Sequence, residues 1–266
     1  MEDLQKMVVL IDADNTQLTK IEAVMREIST YGRIVVKRAY GNWKKDTLKN
    51  WENELKRLAI KAEQQFDYVV GKNATDMALV INAVDLLHSN IYDAFVLVAS
   101  DSDYTPLAIK LHESGVYVIG VGEKKTPEAF RNACDDFIFL ENLTNTESKA
   151  AGTAVDETSA ETAPTAAGKQ NQNVITNINE IHNLLELAYE KYQDDNDLVS
   201  VSNAGSFLKR AKPDFDSRTY GYSKLTDLLE AFPKKYEIKK YKGKGTTDIV
   251  AYKCLKKTKP AATHKK

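Results

Sequence analysis

Two pairs of aspartates stand where β-branched runs stop. Val8-Val9-Leu10-Ile11 runs into Asp12-Ala13-Asp14-Asn15, and Phe95-Val96-Leu97-Val98-Ala99 runs into Ser100-Asp101-Ser102-Asp103. Asp76 opens a helical-looking stretch between them. Short apolar runs bounded by polar residues read as buried parallel strands. In an open α/β sheet, ligands bind beyond the carboxyl ends of such strands, where the strand order reverses. Two strands ending in Asp would therefore converge on one acidic crevice. Carboxylates about 4 Å apart repel by roughly 4 kcal/mol at an effective dielectric near 20, so a cluster needs a divalent cation or a shared proton. Hard oxygen ligands suit Mg²⁺ or Mn²⁺. The chemistry indicated is metal-dependent work on phosphates.

The elements that must position these residues alternate in the βα manner. Strand-like runs occur at Val8–Ile11, Ile34–Tyr40, Phe66–Val70, Ala94–Ala99 and Val116–Val121, with a weaker one at Asp136–Leu140. Helical patterns lie near Thr19–Thr30, Thr47–Glu63, Thr75–His88 and Thr105–Ser114. This alternation predicts a mostly parallel sheet flanked by helices. The helix after Asp76 is apolar almost all round, which predicts that it is largely buried. Residues 146–173 carry no aromatic residue and consist mainly of Ala, Thr, Glu, Ser, Gly and Gln, the composition of a flexible linker. Beyond it, helical patterns at Val174–Tyr192, from Ser202 as N-cap to Arg210, and at Tyr222–Phe232 precede two strands, Tyr236–Tyr241 and Thr247–Tyr252. The strands flank the basic tip Lys242-Gly243-Lys244-Gly245, which completes a small winged helix-turn-helix pattern.

Charge is divided along the chain. Residues 1–145 carry a net −5, residues 174–266 a net +6, and the linker −2. An acidic front and a basic back suggest a catalytic site joined to a module for an anionic partner. Cys134 and Cys254 lie far apart and the four histidines are isolated, so neither a disulfide framework nor a zinc site is supported. No apolar run reaches the roughly 20 residues of a membrane span. Met1-Glu2-Asp3 does not begin a signal peptide, so a cytoplasmic location is expected.

The front half resembles the NYN-domain ribonucleases, the LabA-like branch of the PIN-like nuclease superfamily. The matching segments are Val8–Asn15, Lys72–Ala83 and Ala99–Leu107. The back half is similar to the OST-HTH or LOTUS domain, an RNA-binding winged helix, at Gly205–Leu208, Pro213–Asp216, Tyr220–Leu225 and Leu228–Phe232. The resemblance implies an α/β, PIN-like or flavodoxin-like sheet over residues 1–145, a linker over 146–173, an RNA-binding domain over 174–256 and a basic tail over 257–266. It also implies RNA as partner, with structured or G-rich RNA favoured, and leaves association into a homo-oligomer open. On this resemblance Asp12, Asp76 and Asp101 fall on the principal acidic, metal-holding positions, Asp103 is a fourth acidic member, and Asn15 orients the first loop. The family pattern often has Asp where this chain has Asn82. Six residues along a helix turn that position some 120° from Asp76, so it is not counted among the ligands.

Each assignment has a plainer counterpart. Asp14 suits a turn better than a metal, Asp76 could simply stabilise a helix N-terminus by about 0.3–1 kcal/mol, and Asp101 or Asp103 could cap the helix at Thr105. Arg38 and Lys72 are candidates for phosphate contact, and Tyr40 and Trp43 for base stacking, against ordinary solvation and burial. In the back half Lys209, Arg210, Arg218, Lys224, Lys242 and Lys244 are the phosphate-binding candidates, with Tyr220 or Tyr222 for stacking. Asp12-Ala13-Asp14-Asn15-Thr16 also fits the DxDxT pattern of haloacid-dehalogenase-like phosphatases. A non-catalytic RNA-binding regulator is the third reading.

Overall fold

The computed structural model describes residues 4–67, 73–143, 170–194, 196–242 and 248–255. The chain divides into two compact units, Met1–Ser159 and Ala160–Lys266.

In the first unit six strands pair in parallel: β1 (Leu4–Asp12), β2 (Gly32–Gly41), β3 (Lys61–Gln64), β4 (Ala94–Val98), β5 (Tyr117–Gly122) and β6 (Asp136–Phe139). Their order is β3-β2-β1-β4-β5-β6. The chain builds outward from β1 on one side, then returns to pair β4 against its other edge. β1 is therefore flanked on both sides and buried on both faces, which explains a continuous apolar run in place of an alternating one. Met7, Val9 and Ile11 pack with the helices α1 (Ile21–Ile28) and α2 (Trp51–Arg57). Val8 and Leu10 pack with α3 (Ala74–His88), α4 (Thr105–Glu113) and α5 (Glu128–Asn132) on the other face.

Two elements depart from the expected pattern. The helix expected to reach Glu63 stops at Arg57, and an edge strand follows at Lys61–Gln64. Ala59 adopts φ 50°, its N–H bonds Lys56 O at 3.2 Å, and Ile60 N–H bonds Leu55 O at 2.8 Å. That pair is a Schellman motif, with Leu55 and Ile60 in the same core cluster as its apolar contact. Glycine usually occupies this left-handed position; here alanine does, so the stop carries no sequence signal. The strand expected at Phe66–Val70 is accordingly misplaced: Phe66 and Asp67 are not in a strand, and 68–70 lie outside the described residues. Helix α3 is also less buried than its composition predicts. Only Thr75, Leu79, Ala83 and Leu87 are buried; Ala78, Val80, Val84 and Leu86 pack against the core in part, while Met77 and Ile81 are 56% and 54% exposed. A helix lying on a sheet buries one stripe, whatever the residues outside it.

In the second unit α6 (Gln170–Tyr192), α7 (Val201–Ala211) and α8 (Leu225–Glu230) pack on a three-stranded antiparallel sheet. Its strands are β7 (Val199–Ser200), β8 (Tyr236–Lys242) and β9 (Asp248–Cys254), in the order β7-β9-β8. Ile181, Leu185, Leu208, Leu228, Tyr236 and Tyr252 fill the core. Ser200, two residues before the expected cap, accepts Asn203 N–H and begins α7. Helix α8 spans only the middle of Tyr222–Phe232, because Gly221 at φ 86° closes a preceding 3-10 turn and delays the start. Among the described residues, no helix is long and apolar enough to cross a membrane.

Candidate functional site

The strand order reverses between β1 and β4, and the crevice this creates lies beyond their carboxyl ends. Ile11 pairs with Val98, so Asp12 and the Ala99–Asp103 segment leave the sheet side by side. Thr16 Oγ1 donates to Val98 O at 3.3 Å and ties the first loop to the end of β4. Gly122 permits the neighbouring strand to approach: a Cβ there would lie 2.7 Å from Ala99 O.

Asp12 is fully buried. Asn15 donates to it twice, from its side-chain Nδ2 at 2.9 Å and from its backbone N–H at 3.3 Å. Burial raises the Asp12 pKa to about 6; the Asn15 side-chain bond opposes the rise, and the charges of Asp76 and Asp14 reinforce it. Asp76 stands in the first turn of α3, half-buried, and accepts Tyr104 Oη–H at 2.7 Å. Its pKa is also raised, chiefly by burial and further by Asp101, Asp103 and Asp14, against the lowering hydrogen bond from Tyr104. Tyr104 is buried, and the negative charges of Asp12 and Asp76 both act on its hydroxyl.

Asp101 and Asp103 combine structural and electrostatic parts. Asp101 caps the 3-10 turn Ser102–Tyr104 by accepting Asp103 N–H at 3.0 Å. Asp103 accepts Asn73 Nδ2 at 2.8 Å and so joins the β4 loop to the start of α3. Asp14 is held by Thr75 Oγ1 at 3.0 Å and by Lys45 Nζ at 3.3 Å, and Lys45 also pairs with Asp67 at 3.4 Å. With Thr75 on one oxygen and Lys45 on the other, Asp14 serves the turn, which weakens the DxDxT reading that needs it as acid/base. Among the described residues, no group of three or more Asp, Glu, His or Cys side chains is placed to hold a metal ion together. The donors are all oxygen, and Asp12 is a buried carboxylate facing other carboxylates. That chemistry fits a hard divalent cation.

Tyr104, Thr75 and Lys45 were not singled out from sequence. Tyr104 directly follows Asp103 and was findable as a polar aromatic at the same strand end, but Lys45 reaches Asp14 across 31 residues with no local signal. Arg38 is partly buried and committed to Asn82 Oδ1 at 2.7 Å and to Glu63 at 3.6 Å. Asn82 is thus the partner of Arg38. Tyr40 is fully buried, so the stacking role considered for it is excluded by its packing against α3 and β1. Trp43 Nε1 donates to Glu63 O, and its ring lies 6.2 Å from that of Trp51. Lys72 and Lys244 lie outside the described residues.

In the second unit Lys224 and Lys242 are exposed at the head of α8 and the end of β8. Lys209 and Arg210 end α7, and Arg210 Nη2 bonds Tyr192 Oη at 3.0 Å. Arg218 makes a forked pair with Asp216, with contacts of 2.8 to 3.1 Å. The Tyr222 ring packs toward Phe232 at the margin of the core, and Tyr220 toward Phe215.

The NYN domain family matches residues 6–141, and the OST-HTH/LOTUS domain family matches residues 176–247. A crystal structure of a protein of unknown function from Vibrio parahaemolyticus is similar over 52% of this chain and 94% of its own, at 15% identity and a TM-score of 0.44. A solution structure of an uncharacterized protein from Nitrosomonas europaea covers 41% of this chain and 94% of its own, at 22% identity and a TM-score of 0.27. No curated protein matches. The reversal of strand order, the aspartates at the strand ends beside it and a family match over more than half the chain agree: this protein belongs to the NYN-domain family, with a PIN-like fold, and carries an OST-HTH/LOTUS domain after it.

Proposed function

We propose that this protein is a metal-dependent ribonuclease whose C-terminal domain captures the RNA. The observation that carries the reading is the burial of Asp12 at the switch point, within the electrostatic reach of Asp76, whose carboxylate Tyr104 holds. Asp12, Asp76 and Asp101 would hold Mg²⁺ or Mn²⁺, with Asp103 adding negative charge beside them. The cation, when bound, supplies a water of lowered pKa and neutralises charge on phosphate oxygens. The chain's own residues do the positioning. Asn15 fixes the Asp12 carboxylate through two hydrogen bonds, and the Asp103–Asn73 bond holds the β4 loop against α3. Lys45 offsets part of the negative charge at Asp14. The proposed division of labour assigns cleavage to residues 1–145 and RNA capture to 174–256, joined by 146–173 and followed by a basic tail at 257–266. Limited proteolysis that cuts first within 146–173 and leaves two resistant fragments supports these boundaries; cleavage elsewhere first moves them.

The test is cleavage of a labelled single-stranded RNA by the full chain with Mn²⁺. The wild type releases shorter products, chelation stops it, and the triple variant Asp12→Asn, Asp76→Asn, Asp101→Asn leaves the RNA whole. RNA bound by the wild type but never cut, with either metal, would make the protein a regulator.

A further inference from the structure

The basic unit holds a feature that none of the sequence candidates describes. An open groove of about 400 Å³ lies beside strand β8, lined by Asp194, Asn196, Leu198, Lys239, Lys240 and Tyr241. Its volume falls within the range of small-ligand sites, roughly 300–1,000 Å³. Tyr241 is 38% exposed on this strand, whereas Tyr220 and Tyr222 are partly covered by Phe215 and Phe232. Strand β8 carries Lys239, Lys240 and Lys242 against Glu237, and Lys234 and Lys235 precede it, so this edge is strongly positive. Lys239 and Lys240 are exposed, with Lys239 3.4 Å from Glu237.

We propose that this groove is a subsite for single-stranded RNA, in which the Tyr241 ring takes the face of one base while Lys239 and Lys240 hold the flanking phosphates. The inference rests on the reading that this domain captures RNA, and it locates the contact. An exposed aromatic among cations is the combination that binds single strands without reading sequence, because every base has a π-face. Leu198 supplies an apolar wall. On the opposite side Asp194 Oδ1 accepts both Asn196 N–H at 3.0 Å and Leu198 N–H at 2.9 Å. Its other carboxylate oxygen and the Asn196 amide are then suited to the amino and carbonyl groups on a base edge. Lysines on an edge strand also discourage pairing with another sheet edge. That role requires neither an exposed tyrosine nor a groove.

The test uses the full chain with Ca²⁺ replacing the catalytic metals, a fluorescent 12-nucleotide RNA of mixed sequence, and anisotropy over a range of salt. Tyr241→Ala should weaken binding about 5- to 100-fold, while Tyr241→Phe, which keeps the ring, should stay within about twofold. Lys239→Gln with Lys240→Gln should lower the salt slope by about 1.4. Circular dichroism and thermal melting of each variant verify the fold, and the lysine pair tests the site independently should Tyr241→Ala melt early. Wild-type affinity in Tyr241→Ala with an unchanged slope in the lysine variant overturns the subsite and leaves RNA capture standing. A wild type that binds no RNA at low salt overturns both. Tyr241→Ala converting a dimer to a monomer by sedimentation, with RNA affinity unchanged, makes the groove a contact between copies and also overturns the proposal.

Discussion

The two units treat their charges in opposite ways. In the NYN unit the acidic groups at the crevice are drawn inward: Asp12 is fully buried and bonded by Asn15, and Asp76 is half-buried and bonded by Tyr104. In the OST-HTH/LOTUS unit the cations stand outward, with Lys224, Lys239, Lys240 and Lys242 all exposed on the helix start and wing. Burial raises the energy of a charge and makes it responsive to a proton or a metal. Exposure keeps a charge solvated and leaves it to act by number, through counterion release along a polyanion. The first arrangement suits chemistry at one point, and the second suits affinity spread over a surface.

The comparison breaks most sharply at the carboxylates. Asp12→Asn, Asp76→Asn and Asp101→Asn together should reduce RNA cleavage by at least about 10²–10³-fold, the scale of losing a preorganised electrostatic group. Thermal stability at pH 7.5 should hold or rise, because like charges have been removed. Calorimetry should show no Mn²⁺ binding; titration as in the wild type would mean the metal sits elsewhere.

A smaller effect is expected in the basic unit. Lys224→Glu with Lys244→Glu should weaken RNA binding and lower its salt slope by at least about 1.4. Cleavage should slow at limiting RNA while the rate at saturation is retained. An equal loss of saturated rate would show that the back domain also shapes the chemistry.

The pH response sharpens the contrast. Asp12 titrates near 6 in the folded chain, against an ordinary value of 3.8. The folded state therefore binds the proton more tightly, so metal-free stability is greatest below about pH 4 for this group. It is lost as pH rises through 6, by about 3 kcal/mol in all. Asp12→Asn should flatten that part of a denaturation profile measured from pH 4 to 7.5. Mn²⁺ affinity should fall below pH 6 for the same reason, since proton and metal compete for one carboxylate.

The smallest prediction lies outside both sites. Ala59→Gly should stabilise the protein by about 0.5–1 kcal/mol, because glycine adopts the left-handed conformation without the Cβ penalty. Urea denaturation measures it, and neither cleavage nor RNA affinity should change. A loss of stability would mean that the Ala59 methyl contributes more by packing than it costs in the backbone.

What could be read from sequence followed what was continuous in it. The apolar runs of β1 and β4 and the aspartates ending them are contiguous, and the switch point follows from the βα alternation. Less legible were features made by distance. Lys45 reaches Asp14, and Asn73 reaches Asp103, across the fold. An alanine in the role of a capping glycine hid the end of α2 and the true place of β3. Tyr40 shows the reverse: its strand was evident, but its complete burial depended on α3 lying over it.

The hydroxyl of Tyr104 has a consequence for how the NYN fold is assembled. A phenol that donates to Asp76, opposite an Asn15 that donates to Asp12, softens the repulsion between the two carboxylates before any cation arrives. The crevice can then form on a freshly made chain in a metal-poor surrounding, and supply of the ion becomes a question of loading, separate from folding. Stripping with a chelator should silence such a protein without unfolding it, and returning the ion should restore it with no refolding delay.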